Sequence, residues 1–146
     1  MRRKEKEITV RAEMEAVIAE APVCRLAMCD GTLPYVVPLC FGYADGTFYF
    51  HCAVEGRKLD VLKQNPNVCL ELEAGVSLKT GVNACNWGMN FRSVIACGRV
   101  ERVDGAEARQ RALDLIMAHY APGQFDYAEA ALAKIVVLQV KTTSMT

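Results

Sequence analysis

The apolar positions of this chain change period several times, and each change marks an element. Val10, Met14, Val17, Ile18 and Ala21 recur at three- and four-residue steps, the stripe of an amphipathic helix, with Thr9 in the N-cap position and Pro22 as its stop. Between Val23 and Cys29 the period falls to two. Cys24, Leu26 and Met28 share one face and Arg25 lies on the other, as in a half-buried strand closed by the turn Asp30-Gly31. A second strand runs from Pro34 to Tyr43. Proline has no N–H for a sheet ladder, so Pro34 and Pro38 put this strand at an edge, at a bulge or against a ligand. Asp45-Gly46 is a hairpin turn into Phe48-Tyr49-Phe50, an aromatic, β-favouring run that should end near His51 or Cys52.

Beyond Gly56, the residues Leu59, Val61 and Leu62 mark a short helix opened by Arg57-Lys58 and stopped by Asn65-Pro66. Val68, Leu70 and Leu72 then alternate with Cys69, Glu71 and Glu73. Residues 74–90 carry three glycines and the single tryptophan, Trp87, which predicts a long loop or irregular hairpin. Phe91 to Val103 reads as a long strand with Gly98 as a bulge. A helix follows from about Ala108 to His119, then a short one around Asp126–Ala133 and a last strand from Lys134 to Lys141. Five or six strands with few helices and no β-α-β alternation predict a mainly β, α+β fold, a small barrel and not a doubly wound sheet.

A length of 146 residues suits one domain spanning 1–146, with residues 1–8 a solvated, mobile charged end. Seventeen basic and seventeen acidic residues cancel, which argues against a nucleic-acid or polyanion surface. The seven cysteines are odd in number and none has C-x2-C spacing, so they read as reduced, mostly buried small hydrophobes of a cytoplasmic protein. Cys85, in a polar stretch, is the one expected at the surface. No targeting segment or membrane-spanning run is visible, and no metal-ligand cluster, nucleophile–base–acid pattern or phosphate-cradling G-x-x-x-x-G-K.

The chemistry concentrates in Phe48–Pro66. Arg57 and Lys58 stand on the first turn of a helix, where the dipole is positive and cations are mildly unfavourable unless an anion joins them. Free helix amides, the dipole and two cationic side chains suit a phosphate monoester. The alternative is a solvated basic helix start paired with Glu55 or Asp60. Trp87 either lids an aromatic ligand or anchors its loop in the core, and His119 is a favourable C-terminal residue of its helix.

The run Tyr49-Phe50-His51-Cys52-Ala53-Val54-Glu55-Gly56-Arg57-Lys58-Leu59-Asp60, continued by Asn65-Pro66-x-Val68, resembles the flavin-binding split-barrel superfamily of pyridoxamine 5'-phosphate oxidase. Met1-Arg2-Arg3-Lys4, Pro34-Tyr35-Val36-Val37-Pro38-Leu39, Arg92-Ser93-Val94-Ile95 and Gly98-Arg99 extend the likeness over nearly the whole chain. It is most similar to the 5-nitroimidazole-resistance (Nim) branch. The resemblance implies a split β-barrel with peripheral helices, a homodimer with FMN at the interface, and phosphate contacts from Arg57, Lys58 and Ser93. Val37, Pro38 and Leu39 would line the flavin ring, and Arg92 would add charge across the interface. His51 would be the catalytic proton donor or, in the alternative reading, a haem ligand. The implied reaction is reduction of a small electron-poor molecule, such as a nitroaromatic, with electrons from NAD(P)H or a protein donor. Pyridoxamine 5'-phosphate oxidase activity itself is disfavoured, because Lys134–Thr146 lacks the basic substrate-binding motif of those enzymes. The rival expectation is a non-enzymatic haem- or flavin-binding protein on the same fold.

Overall fold

The computed structural model describes residues 3–146, so Met1 and Arg2, part of the expected mobile end, lie outside the described residues. Seven strands form one antiparallel sheet: β1 (Cys24–Asp30), β2 (Leu33–Leu39), β3 (Gly42–Ala44), β4 (Thr47–Ala53), β5 (Asn67–Lys79), β6 (Gly88–Arg102) and β7 (Ile135–Met145). Their order is β2-β1-β5-β6-β7-β4-β3. Among the described residues four α-helices accompany them: α1 (Arg11–Glu20), α2 (Arg57–Gln64), α3 (Ala106–Tyr120) and α4 (Glu129–Leu132). The α+β, mainly β expectation holds, and so does the edge position of the proline-bearing strand β2.

The sheet curls so that its two ends share one core. Phe41, Phe48 and Phe50 from the β3–β4 end meet Leu26, Leu70, Leu72 and Val94 from the β1–β5–β6 side, and all are essentially inaccessible to solvent. Each such side chain contributes roughly 1.5–3 kcal/mol by leaving water. Met14, Val17 and Ile18 of α1 close the same core, as the stripe predicts. A second, smaller cluster forms where Ala112, Leu113 and Ile116 of α3 cover Val103 and Val137, with Tyr49 of β4 packed alongside.

Several boundaries differ from the pattern-based reading, each for a physical reason. The described residues form seven strands, because the expected 34–43 strand breaks at Cys40–Phe41, where the chain turns inward to bury Phe41. The 74–90 segment is mostly strand: β5 continues to Lys79 and β6 begins at Gly88, with a register shift between Ala74 and Ser77 absorbing its irregularity. Thr9 does not cap α1; Val10 holds that position and no side chain bonds the helix start. The last strand runs four residues past Lys141, carried by its ladder with β6, which has its register shift at Cys97/Gly98. The hairpin turn at Asp45-Gly46 has positive φ at both residues, 49° and 79°, the geometry that matches strand twist. Cysteine burial also departs from expectation. Only Cys24 is fully buried, Cys52 and Cys69 are half-buried, and Cys29, Cys40, Cys85 and Cys97 are exposed.

Candidate functional site

Strand β4 delivers the chain to its most chemically loaded turn. Phe48 and Phe50 point into the core, and after Ala53 the backbone swings through Gly56 at φ 133°, ψ 163°, which side-chain-bearing residues rarely adopt. A Cβ at Gly56 would meet nothing within 4 Å, so the glycine is required by its angle and the space beside it is open. Helix α2 then begins. The amides of Leu59 and Asp60 turn back to the Gly56 carbonyl at 2.9 and 3.3 Å, and no side chain caps the start. The amides of Arg57 and Lys58 therefore keep their bonding capacity, at the positive end of the helix dipole.

Arg57 and Lys58 stand on this turn in different states. The Arg57 guanidinium donates from Nε and Nη2 to one oxygen of Asp30, at 3.0 and 2.9 Å, and lies over the Tyr35 ring at 4.5 Å. Its partner is thus neither Glu55 nor Asp60 but the last residue of β1, 27 positions earlier. Lys58 is half-buried and forms no ion pair among the described residues. Its charge is felt by Cys52: burial raises that thiol and the ammonium works against the rise.

Tyr35 continues the site along β2. Tyr35, Val37 and Leu39 are half-buried and pack against the main core, while Pro38, on the other face, is exposed. A strip from the α2 start along the edge strand is therefore built by one chain. Its anion-binding features fit a phosphate, and its apolar half-buried strip fits a flat ring.

The remaining expected residues lie elsewhere. His51 faces the opposite side of β4 from Cys52, pairs with Val137 across the ladder and is exposed. Ser93 and Arg92 occupy the start of β6, opposite Glu73 and Ala74. Leu39 and Ser93 are separated by three strand spacings, about 14 Å. Within one chain, Arg92 and Ser93 do not meet Arg57 and Lys58. The Arg92 guanidinium donates instead to Glu20 at the end of α1, at 2.6 Å. A groove of about 780 Å³ opens here, lined among others by Lys6, Ile8, Phe91, Arg92 and Ser93.

Around it the surface is unusually apolar. Leu78, Met89, Phe91 and Ile95 are 59%, 51%, 57% and 47% exposed. Trp87 is likewise about half exposed; its indole donates to the Gly81 carbonyl at 2.7 Å, so it closes the loop on itself and does not anchor it in the core. His119 does more than end a helix. Its Nε2 lies 2.8 Å from the Ala21 carbonyl and its ring packs tilted, at 45°, against Phe41 with centroids 4.2 Å apart, beside the inward turn between β2 and β3.

Asp30 was legible only as a turn residue and Glu20 only as the end of a helix, because their partners are 27 and 72 residues away. A sequence offers no local signal for such pairs.

Comparison with known proteins gives this geometry its context. The family model described as pyridoxamine 5'-phosphate oxidase matches residues 10–146. The chain belongs to this family. A candidate 5-nitroimidazole antibiotic resistance protein from Bacteroides thetaiotaomicron is 34% identical, with a TM-score of 0.85 over 94% of this chain and 82% of the other. The FAD and heme binding protein of Mycobacterium smegmatis superposes with a TM-score of 0.84 at 17% identity, over 96% of this chain and 71% of its own. That level of identity shows the shared fold alone. An uncharacterized Rhizobium meliloti protein is 26% identical over 97 residues, and the match spans 66% of this chain and 57% of that relative. The split-barrel expectation is thereby borne out. No helix among the described residues is long and apolar enough to cross a membrane.

Proposed function

We propose that this chain is an FMN-dependent oxidoreductase that works as a homodimer and reduces a small electron-poor molecule, of which a nitroaromatic is the leading class. The observation that carries the reading is the uncapped α2 start, where the open amides of Arg57 and Lys58, a Lys58 side chain with no ion pair among the described residues and the held Arg57 converge beside the half-buried edge of β2. These groups would hold the phosphate, and the main chain of Val37, Pro38 and Leu39 would lie along the ring. Bound flavin supplies hydride or electron transfer, while the protein supplies position and electrostatics.

The second copy has a defined task. Ser93 and Arg92 are too far from α2 to serve the same chain's site, but they sit amid exposed apolar residues on the β5–β6 arm. A partner subunit seated there brings its own β6 start to this chain's flavin edge. Electrons come from a nicotinamide or a protein donor. The chain has no dinucleotide-binding fingerprint, so a nicotinamide would dock transiently. The cytoplasm is the proposed compartment.

One observation favours a second reading, haem binding without catalysis. The His51 imidazole is exposed and no described side chain hydrogen-bonds it, and a structural relative of this fold binds FAD and heme. The two readings separate experimentally. Arg57→Ala/Lys58→Ala removes flavin binding and leaves any Soret band; His51→Ala removes the Soret band and leaves flavin binding. Unchanged FMN affinity in the double variant would remove phosphate recognition from α2.

A further inference from the structure

Two of the seven cysteines face each other across the middle of the sheet. Cys69 of β5 and Cys97 of β6 are register partners, and both are free thiols. Their kind of pairing follows from the neighbouring hydrogen bonds. The Val100 amide donates to the Pro66 carbonyl at 2.8 Å, so even-numbered residues of β6 turn their backbone groups toward β5. The reciprocal bonds between Ile95 and Thr146, both 2.9 Å, show odd-numbered residues turned the other way, toward β7. Cys69 and Cys97 are therefore a non-hydrogen-bonded pair, the class with the closer backbones, at a Cα separation of about 4.5 Å. That value lies at the short end of the range a disulfide bridges.

The side chains point away from the main core, in one row with Ala27 and Val36 on the outer face of the sheet. Cys97 is exposed and Cys69, beside it on the neighbouring strand, is half-buried. Burial raises the Cys69 thiol, and the nearby Cys97 sulfur and the Glu71 carboxylate add to the rise. Cys69 is therefore held as the thiol, and the exposed Cys97 is the group placed to attack. Each other cysteine lies in a different ladder row or outside the strands, with no cysteine opposite it.

We propose that Cys69 and Cys97 form an oxidisable dithiol, a modification site for low-molecular-weight disulfides. The Cys97 thiolate attacks one sulfur of the small disulfide, forming a mixed disulfide and releasing one small thiolate. The Cys69 sulfur then attacks Cys97 Sγ, the mixed disulfide breaks and the second small thiolate leaves. The two protons of the protein thiols pass to the two departing thiolates, so the protein is oxidised by two electrons and the small disulfide is reduced by two. The short backbone separation makes the product a strained cross-link, readily reversed by excess small thiol. The cross-link would join β5 and β6 on the sheet face that carries Val36 and Ile95, so it forms in the chain free of the second copy proposed above. It does not depend on flavin.

The test is incubation of the intact protein with oxidised glutathione, denaturing alkylation and peptide mass spectrometry. The expected product is a Cys69–Cys97 peptide pair within one chain, two hydrogens lighter than the reduced pair, lost again on adding reduced glutathione. Cys69→Ser should trap glutathione on Cys97, Cys97→Ser should abolish reaction at this place, and Cys85→Ser should change nothing here. Alkylation of both Cys69 and Cys97 after oxidation would overturn the proposal. So would a bond to another cysteine or another chain, or a Cys69→Ser variant with an unmodified Cys97.

Discussion

The start of α2 and the start of β6 each present an arginine already held by a carboxylate from a distant part of the chain, yet they are built for different ends. At α2, Arg57 is fixed by Asp30 and Tyr35, the helix amides are uncapped, Lys58 is unpaired among the described residues, and the core supports the strip beside it. At β6, Arg92 is tied to Glu20, Ser93 is half-buried, and the surroundings are an open groove and exposed apolar side chains. On the proposed reading, the first region is a phosphate-holding site whose cations and helix amides all come from one chain. On the same reading, the second is half of a surface, and its polar groups would acquire a ligand only when the proposed second copy covers it.

The largest expected effect comes from removing both cations of the first region. Arg57→Ala/Lys58→Ala deletes two charge-assisted bonds of roughly 1.5–3 kcal/mol each, so FMN affinity measured by quenching of flavin fluorescence should fall by about three-hundred-fold. Circular dichroism should be unchanged, since neither side chain is in the core. Separating the two residues sharpens the contrast. Lys58→Ala should cost about thirty-fold and Arg57→Ala about ten-fold, because Asp30 already neutralises much of the arginine; the reverse order would make Asp30 a mere bystander.

At the β6 region the expected effect is on assembly. Phe91→Ser should raise the dimer dissociation constant by about ten-fold in sedimentation, with flavin affinity falling only as the dimer dissociates. An unaltered dimer would place the second copy elsewhere. The smallest effect belongs to Arg92→Ala, an exposed pair with Glu20, which should shift thermal stability within the range of surface ion pairs, about 0–1 kcal/mol, and FMN affinity by about three-fold. A loss as large as that of Lys58→Ala would erase the distinction between the regions.

The contrast also explains what the sequence could and could not disclose. The α2 site is legible because its parts are consecutive: an aromatic strand, a glycine with an angle closed to other residues, two cations and a helix stop fall within nineteen residues, Phe48–Pro66. The edge position of β2 is legible because a proline cannot donate. Asp30 on Arg57 and Glu20 on Arg92 are not, because the sheet order β2-β1-β5-β6-β7-β4-β3 brings them together and no local pattern encodes that order. The extension of β5 and β6 was hidden for another reason. Glycines and a tryptophan look like loop, while cross-strand pairing such as Leu78 with Met89 overrides local propensity.

The visible spectrum of the protein purified without added cofactor, with release and identification of any chromophore, tests the central claim most directly. A yellow, two-band spectrum yielding one FMN per chain is the predicted result. A Soret band in place of flavin, or a colourless protein that fails to take up FMN on titration, would contradict it.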